Sequence, residues 1–263
     1  MSDVTLDPTD GGGDESVAAD AGAVHHPHMA DVREHVAEVR EHVAEVRVHV
    51  AGQLAHVKPL LRGWIHEIFF FLSIPAGLLL VALSGTVEAR LAAAVYSLGV
   101  TALYGVSAAY HRGPWTEKGR TVMRRLDHAM IFVLIAGSFT PTALLLLPDP
   151  WRWWSLAFMW GGAACGIALK IVALERFRRL GAALYIVLGW AGLMAFPALW
   201  ERPGTLVLFA TGGVLYTVGA ILFALNKPQL SPRWFGYHEV WHSFGVAAGA
   251  LLFAANLGLV RAG

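Results

Sequence analysis

Two histidines stand four residues apart at His238 and His242, and a third closes an apolar stretch at His111. On a helix, positions i and i+4 lie on one face, one turn apart, so His238 and His242 can offer two imidazoles to one ion. Three His nitrogens with an open fourth position suit catalytic Zn²⁺, with water in the vacancy. Irving–Williams affinity alone would favour Cu²⁺ at the same donors. Ser107 precedes His111 by four residues and repeats the spacing. Asp127 follows sixteen residues after His111, with His128 beside it. A carboxylate in that place can hold a metal water or orient a ligand histidine. Ser107, one turn deeper, could hydrogen-bond the water or a substrate oxygen. Bound zinc brings a water's pKa from 15.7 to about 7, which makes it nucleophilic at neutral pH.

Simpler readings exist for each residue. Interfacial histidines are common because the ring has an apolar body and a polar tip. Asp127 could merely begin a helix, where a carboxylate favours the positive end of the dipole. His238-Glu-Val-Trp-His242 also reads HExxH, the zincin pattern in which Glu239 would be the general base. The context does not suit a protease, because the 21 residues after His242 contain no His, Asp or Glu to serve as third ligand. Glu239 is instead expected to face headgroups or to support His238.

These residues need helices to hold them, and the helices the composition offers are transmembrane. Hydrophobic residues make up 56% of the 263 residues and charged residues only 15%, against about 25% charged in soluble domains. The apolar residues fall in seven blocks, near 64–83, 91–110, 128–147, 153–173, 180–200, 204–225 and 240–260. Blocks of about 20 residues match a hydrocarbon core of roughly 30 Å. The expected fold is all-α: a polytopic seven-transmembrane-helix bundle of the cell (inner) membrane, occupying 58–263 and in contact with membrane lipids. Pro75, Pro141 and Pro197 lie inside blocks, where neighbouring helices can satisfy the freed carbonyl. Gly161–Gly162, Gly212–Gly213 and Gly245/Gly249 are candidates for close helix approach. Trp151, Trp153, Trp154 and Trp234 flank blocks, as interfacial anchors do.

Loop charge gives the orientation. Lys58, Arg62, Arg112, Lys118, Arg120, Arg124, Arg125, Arg176, Arg178, Arg179, Lys227 and Arg233 fall on one side, and Arg90, Arg152, Arg202 and Arg261 on the other. The richer side is cytosolic by the positive-inside rule, with the N-terminus inside and the C-terminus outside. Ionisable residues are costly in hydrocarbon and mark function. His66, Glu67, His111, Asp127, His128, His238, Glu239 and His242 all sit at the cytosolic ends of their blocks. The spans offer no charged stripe through the membrane depth, which disfavours a pore. Block seven has no lysine for a retinal Schiff base, and the inside N-terminus is opposite to that of G-protein-coupled receptors.

Residues 1–30 are polar and Gly/Asp-rich, with His25, His26 and His28 near the end, and read as a disordered tail. In 31–57 the segment VREHVAE occurs twice in tandem. Val32, Val36, Val39, Val43, Val46 and Val50 form one apolar stripe, with His35, His42, His49 and His56 recurring every seven residues beside it. The stripe suits self-association as a short coil, or a helix lying in the membrane surface. It could equally be a spacer. The lone Cys165 rules out a disulfide framework and reads as a small buried hydrophobe. The net charge of +1 marks no nucleic-acid partner.

The stretches Ser107-Ala-Ala-Tyr-His111-Arg112, Leu126-Asp127-His128 and Ile135-Ala-Gly-Ser-Phe-Thr140-Pro141 resemble the hemolysin III branch of the progestin and adipoQ receptor family. So do Arg62-Gly-Trp-Ile-His66-Glu67 and His238-Glu-Val-Trp-His242. The resemblance covers roughly 60–260. It implies Zn²⁺ near the inner leaflet on His111, His238 and His242, with Asp127 holding the metal water and Ser107 at the family's serine position. The wider superfamily includes ceramidases, which cleave lipid amides. The function expected is therefore a zinc-binding membrane protein. It is either a zinc-dependent lipid amide or ester hydrolase of ceramidase-like type, or a non-enzymatic membrane-homeostasis or cytolytic protein whose metal is structural.

Overall fold

In the lipid-spanning part of the chain, each apolar block has become helix, and α3, α4 and α9 begin three or more residues before their blocks. The computed structural model describes residues 27–55, 59–173, 176, 178–231 and 233–262. Helix α1 is Pro27–Ala55, α2 Trp64–Ala82, α3 Val87–Arg112, α4 Glu117–Leu146 and α5 Trp151–Ala173. Helix α6 is Arg178–Trp190, α7 Phe196–Trp200, α8 Pro203–Ala224 and α9 Tyr237–Ala262. Seven spans are long and apolar enough to cross a membrane. Six are single helices. The fifth, Leu180–Trp200, runs through α6, a 3₁₀ turn at Ala191–Ala195 and α7. Pro197 explains that break, because it lacks an N–H and its ring crowds the carbonyl four residues back, at Leu193. Among the described residues the sole β feature is an isolated Ser231–Phe235 bridge.

Residues 1–52 and 53–263 form two separate units. In the first, α1 starts at Pro27, four residues before the expected boundary, because proline is tolerated in a helix's first turn. Its valines Val32, Val36, Val39, Val43 and Val46 are all 45–49% exposed, so the stripe is real and meets nothing within this unit. The sequence-based expectations for His25, His26 and the rest of 1–26 lie outside the described residues.

The second unit is organised around α4. It packs against α3 and α5, and also meets α9 and α6. Its stretch from Ala136 to Ala143 is buried throughout. One core joins Phe132, Ala136, Phe139 and Ala143 to Met159, Ala163 and Leu188 on α5 and α6. Another joins Leu80, Ala89, Ala93, Tyr96 and Val260 from α2, α3 and α9. A Cβ at Gly166 would meet the Phe132 ring at 2.3 Å, so α4 and α5 touch where neither has room for more. Gly212 backs onto Ala248 and Leu252 of α9, as expected. Gly161 has nothing within 4 Å, while a Cβ on its neighbour Gly162 would meet Leu188 at 2.8 Å.

The outside of this unit is apolar: Leu78, Leu98 and Val172 are 69%, 70% and 77% exposed. In water such a surface would signal a partner, but here it is the face turned to lipid. Cys165 is also exposed. The expectation that it is buried is corrected, because in a bilayer a small apolar side chain faces lipid as readily as protein.

Helix α4 spans 30 residues, about 45 Å at 1.5 Å per residue, so it projects beyond the hydrocarbon. Thr116 caps its N-terminus, accepting from the Gly119 N–H at 3.2 Å. Asp127 therefore lies in the third turn of α4. The helix-dipole explanation for its position fails, since that effect fades within the first turn.

Candidate metal centre

Helices α3 and α9 pack together and bring the end of one against the start of the other. His111 lies in the last turn of α3, and His238 and His242 in the first turns of α9. Their donor nitrogens all lie within 4.8 Å of one another, and His238 Nε2 is 3.1 Å from His111 Nε2. Two nitrogens bound at 2.0–2.1 Å to a tetrahedral ion sit roughly 3.3 Å apart, so the pair is at ligand spacing. The three rings are inclined to one another by 60–80°. His111 and His242 are buried and His238 half-buried. The donor set fits a metal ion: three imidazole nitrogens from two helices, with no fourth protein donor in the group among the described residues.

Several contacts hold these ends together. Gly63 precedes α2 with φ +87°, and a Cβ there would lie 2.7 Å from the His111 Cβ. Glycine is needed twice at this position, for the left-handed backbone and for the space. Arg112 pairs with Glu67 and lies over the Trp64 ring at 4.0 Å, tying the end of α3 to the start of α2. The segment before α2 hydrogen-bonds the segment before α9, Leu60 N to Arg233 O at 3.0 Å and Leu61 N to Trp234 O at 3.3 Å. We expect Gly63→Ala to cost about 1–2 kcal/mol for the left-handed backbone and more for the clash. A lower thermal midpoint in detergent with weaker metal retention would show it. Unchanged metal affinity would mean that Gly63 does not set the position of His111.

Ser107 is buried one turn before His111, and it interacts with the largely buried Asp127 carboxylate across the α3–α4 contact. The five residues Ser107, His111, Asp127, His238 and His242 thus come from three helices to one end of the bundle. His128 is not in the imidazole group. Its Nδ1–H donates to the Arg124 carbonyl of its own helix at 2.8 Å, and its backbone carbonyl accepts from the Tyr185 hydroxyl at 2.8 Å.

Glu239 faces neither headgroups nor His238 in the hydrogen bonds observed; it is 1% exposed. One oxygen pairs with Arg62 and the other accepts from the Gly236 N–H at 2.8 Å. Glu239 is the third residue of α9, and its bond back to the residue before the helix is half of a capping box. That explains the HExxH string without protease chemistry.

Two further buried groups belong to this end. His66 on α2 is 6% exposed and stacks on His242, centroids 3.8 Å apart and planes within 4°. Lys170 is 2% exposed within α5, its Nζ 5.1 Å from the centre of the Tyr185 ring. Lys170 was not among the edge-of-span residues picked from the sequence. Its signal was there, a lysine inside an apolar block.

A heptahelical membrane protein with a three-imidazole centre where two of its helices meet is the class these features define. The profile of the family described as "Haemolysin-III related" matches residues 54–253, and the chain belongs to that family. It is 37% identical over 196 residues to "Hemolysin-3" of Bacillus cereus, covering 72% of this chain and 85% of that protein. It is 31% identical over 194 residues to the "Hemolysin-3 homolog" of Bacillus subtilis (strain 168), covering 72% and 87%. Similarity extends to the "Monocyte to macrophage differentiation factor" of Homo sapiens, at 28% over 196 residues, covering 70% and 78%. It is a multi-pass cell-membrane protein.

Proposed function

We propose that this protein is a zinc-dependent hydrolase of lipid amides or esters that works at the inner leaflet. The observation that carries the reading is the proximity of Ser107 to the Asp127 carboxylate, one helical turn before His111 of the three-imidazole group. A purely structural metal needs no carboxylate beside it. The centre lies at the end of the bundle that holds Arg62, Arg112, Arg124 and Arg233, which the positive-inside rule assigns to the cytosol. Zinc bound there supplies a Lewis acid for a carbonyl oxygen and lowers the pKa of its water to about 7. Asp127 takes the proton from the attacking water and returns it to the leaving group. Ser107 orients the Asp127 carboxylate and, on rotation, can donate to a substrate oxygen.

The test is Asp127→Ala in proteoliposomes against a panel of fluorescent lipid amides and esters. General acid–base catalysis contributes about 10²–10⁴-fold, so hydrolysis should fall at least a hundredfold with zinc content unchanged. Zinc retention with full activity would end the role assigned to Asp127.

One observation favours a second reading. The cluster joins two helices and is buried at His111 and His242, which also suits a metal that staples α3 to α9 without turnover. The protein would then act on membrane state, or lyse cells when overproduced. Under that reading wild type hydrolyses nothing in the panel, and metal removal lowers the thermal midpoint as much in Asp127→Ala as in wild type.

A further inference from the structure

We infer that His66 is a working part of the metal centre: its ring backs His242, and its Nδ1 hydrogen-bonds the exogenous ligand taken at the open coordination position. The inference rests on the metal reading above. His66 comes from α2, a helix that contributes none of the three donor nitrogens. It is held between two rings, parallel to His242 at 3.8 Å and tilted 55° from Tyr104 at 5.1 Å. This fixes its own orientation and limits the swing of His242.

The stack also shows what His66 is not. The three donor rings are steeply inclined to one another, whereas His66 presents its flat face to His242. A face offers no lone pair, so His66 is not a fourth ligand.

One of its two nitrogens is unmet. Nδ1 is buried and has no hydrogen-bond partner among the described residues. The residue is 6% exposed near the start of α2, and burying a polar atom without a partner is unfavourable. A neutral imidazole carries one donor and one acceptor, and leaving either unpaired in such surroundings is costly. A phenylalanine would fill the same slot and stack as well, without that cost. A ligand at the metal, carrying its own polar atoms, is the partner that the placement provides for.

The experiment uses full-length protein in detergent, loaded with Co²⁺ and titrated with acetohydroxamate while the visible Co²⁺ spectrum is followed. Metal affinity is measured by competition with a chromophoric chelator. His66→Phe keeps the stack and removes the nitrogens, so metal affinity should stay within about twofold while acetohydroxamate binds about tenfold more weakly, the effect of one lost hydrogen bond. His66→Ala removes the stack as well, and metal affinity should fall roughly 10–100-fold, as when an outer support of a ligand is lost. Wild-type acetohydroxamate affinity in His66→Phe would overturn the binding role. Wild-type metal affinity in His66→Ala would overturn the backing role. Metal loss in His66→Phe equal to that in His66→Ala would make His66 a ligand and overturn both. If wild type itself takes up no Co²⁺, the metal reading fails and this inference with it, whereas uptake that is indifferent to both variants defeats this inference alone.

Discussion

Protein purified without chelator is expected to carry about one metal ion per chain, and the double variant His238→Ala/His242→Ala almost none. Elemental analysis of the two preparations is the check, and it also names the metal. The expected loss is large because the change leaves one imidazole of three, and a lone histidine does not retain an ion through purification. Metal bound only by the folded bundle stabilises it by mass action, so the variant's thermal midpoint should match that of wild type stripped with EDTA. A double variant that keeps its metal would show that the cluster of His111, His238 and His242 is not the site.

The second large effect is expected at the ion pair that joins Arg62 to Glu239, the residue next to His238. Glu239 is 1% exposed, and its partner Arg62 18%. Arg62→Ala leaves a buried carboxylate with only the Gly236 N–H for support. Breaking a buried pair from one side typically costs about 3–5 kcal/mol. The damage should fall on the first turn of α9, which carries His238, so metal affinity and thermal midpoint should drop together. The double change Arg62→Met/Glu239→Leu removes both charges at once and should recover much of the lost stability. If Arg62→Ala alone is as stable as wild type, the pair does not secure the start of α9.

Much of this centre was legible in the chain. The i, i+4 spacing of His238 and His242 and of Ser107 and His111 survives translation into helix unchanged, because period alone decides which face a residue takes. The seven spans were legible for a similar reason: bilayer thickness sets a length that apolar blocks display openly. What stayed hidden depends on partners far away in sequence. Nothing local says that Glu239 pairs with Arg62, since a carboxylate at a helix start serves a cap, a headgroup or a metal equally well. Nor does the string around His66 reveal that its ring lies on His242, a contact across α2 and α9. Asp127 looked like a helix start because hydrophobicity begins there. The helix itself begins at Glu117, in a charged turn that a search for apolar blocks cannot see. Lys170 was lost in the same way, as one charge averaged into an apolar block.

The donors of the centre also carry an order in time. His111 and His238 are separated by 127 positions, and both α9 histidines lie in the last of the seven spans. While the ribosome is still feeding earlier spans into the membrane, the nascent chain holds one imidazole of the three. An intermediate of insertion therefore lacks the full set, and any metal taken up here would load only after entry of the final span. Occupancy of the centre would then distinguish a fully inserted chain from one stalled before its last helix.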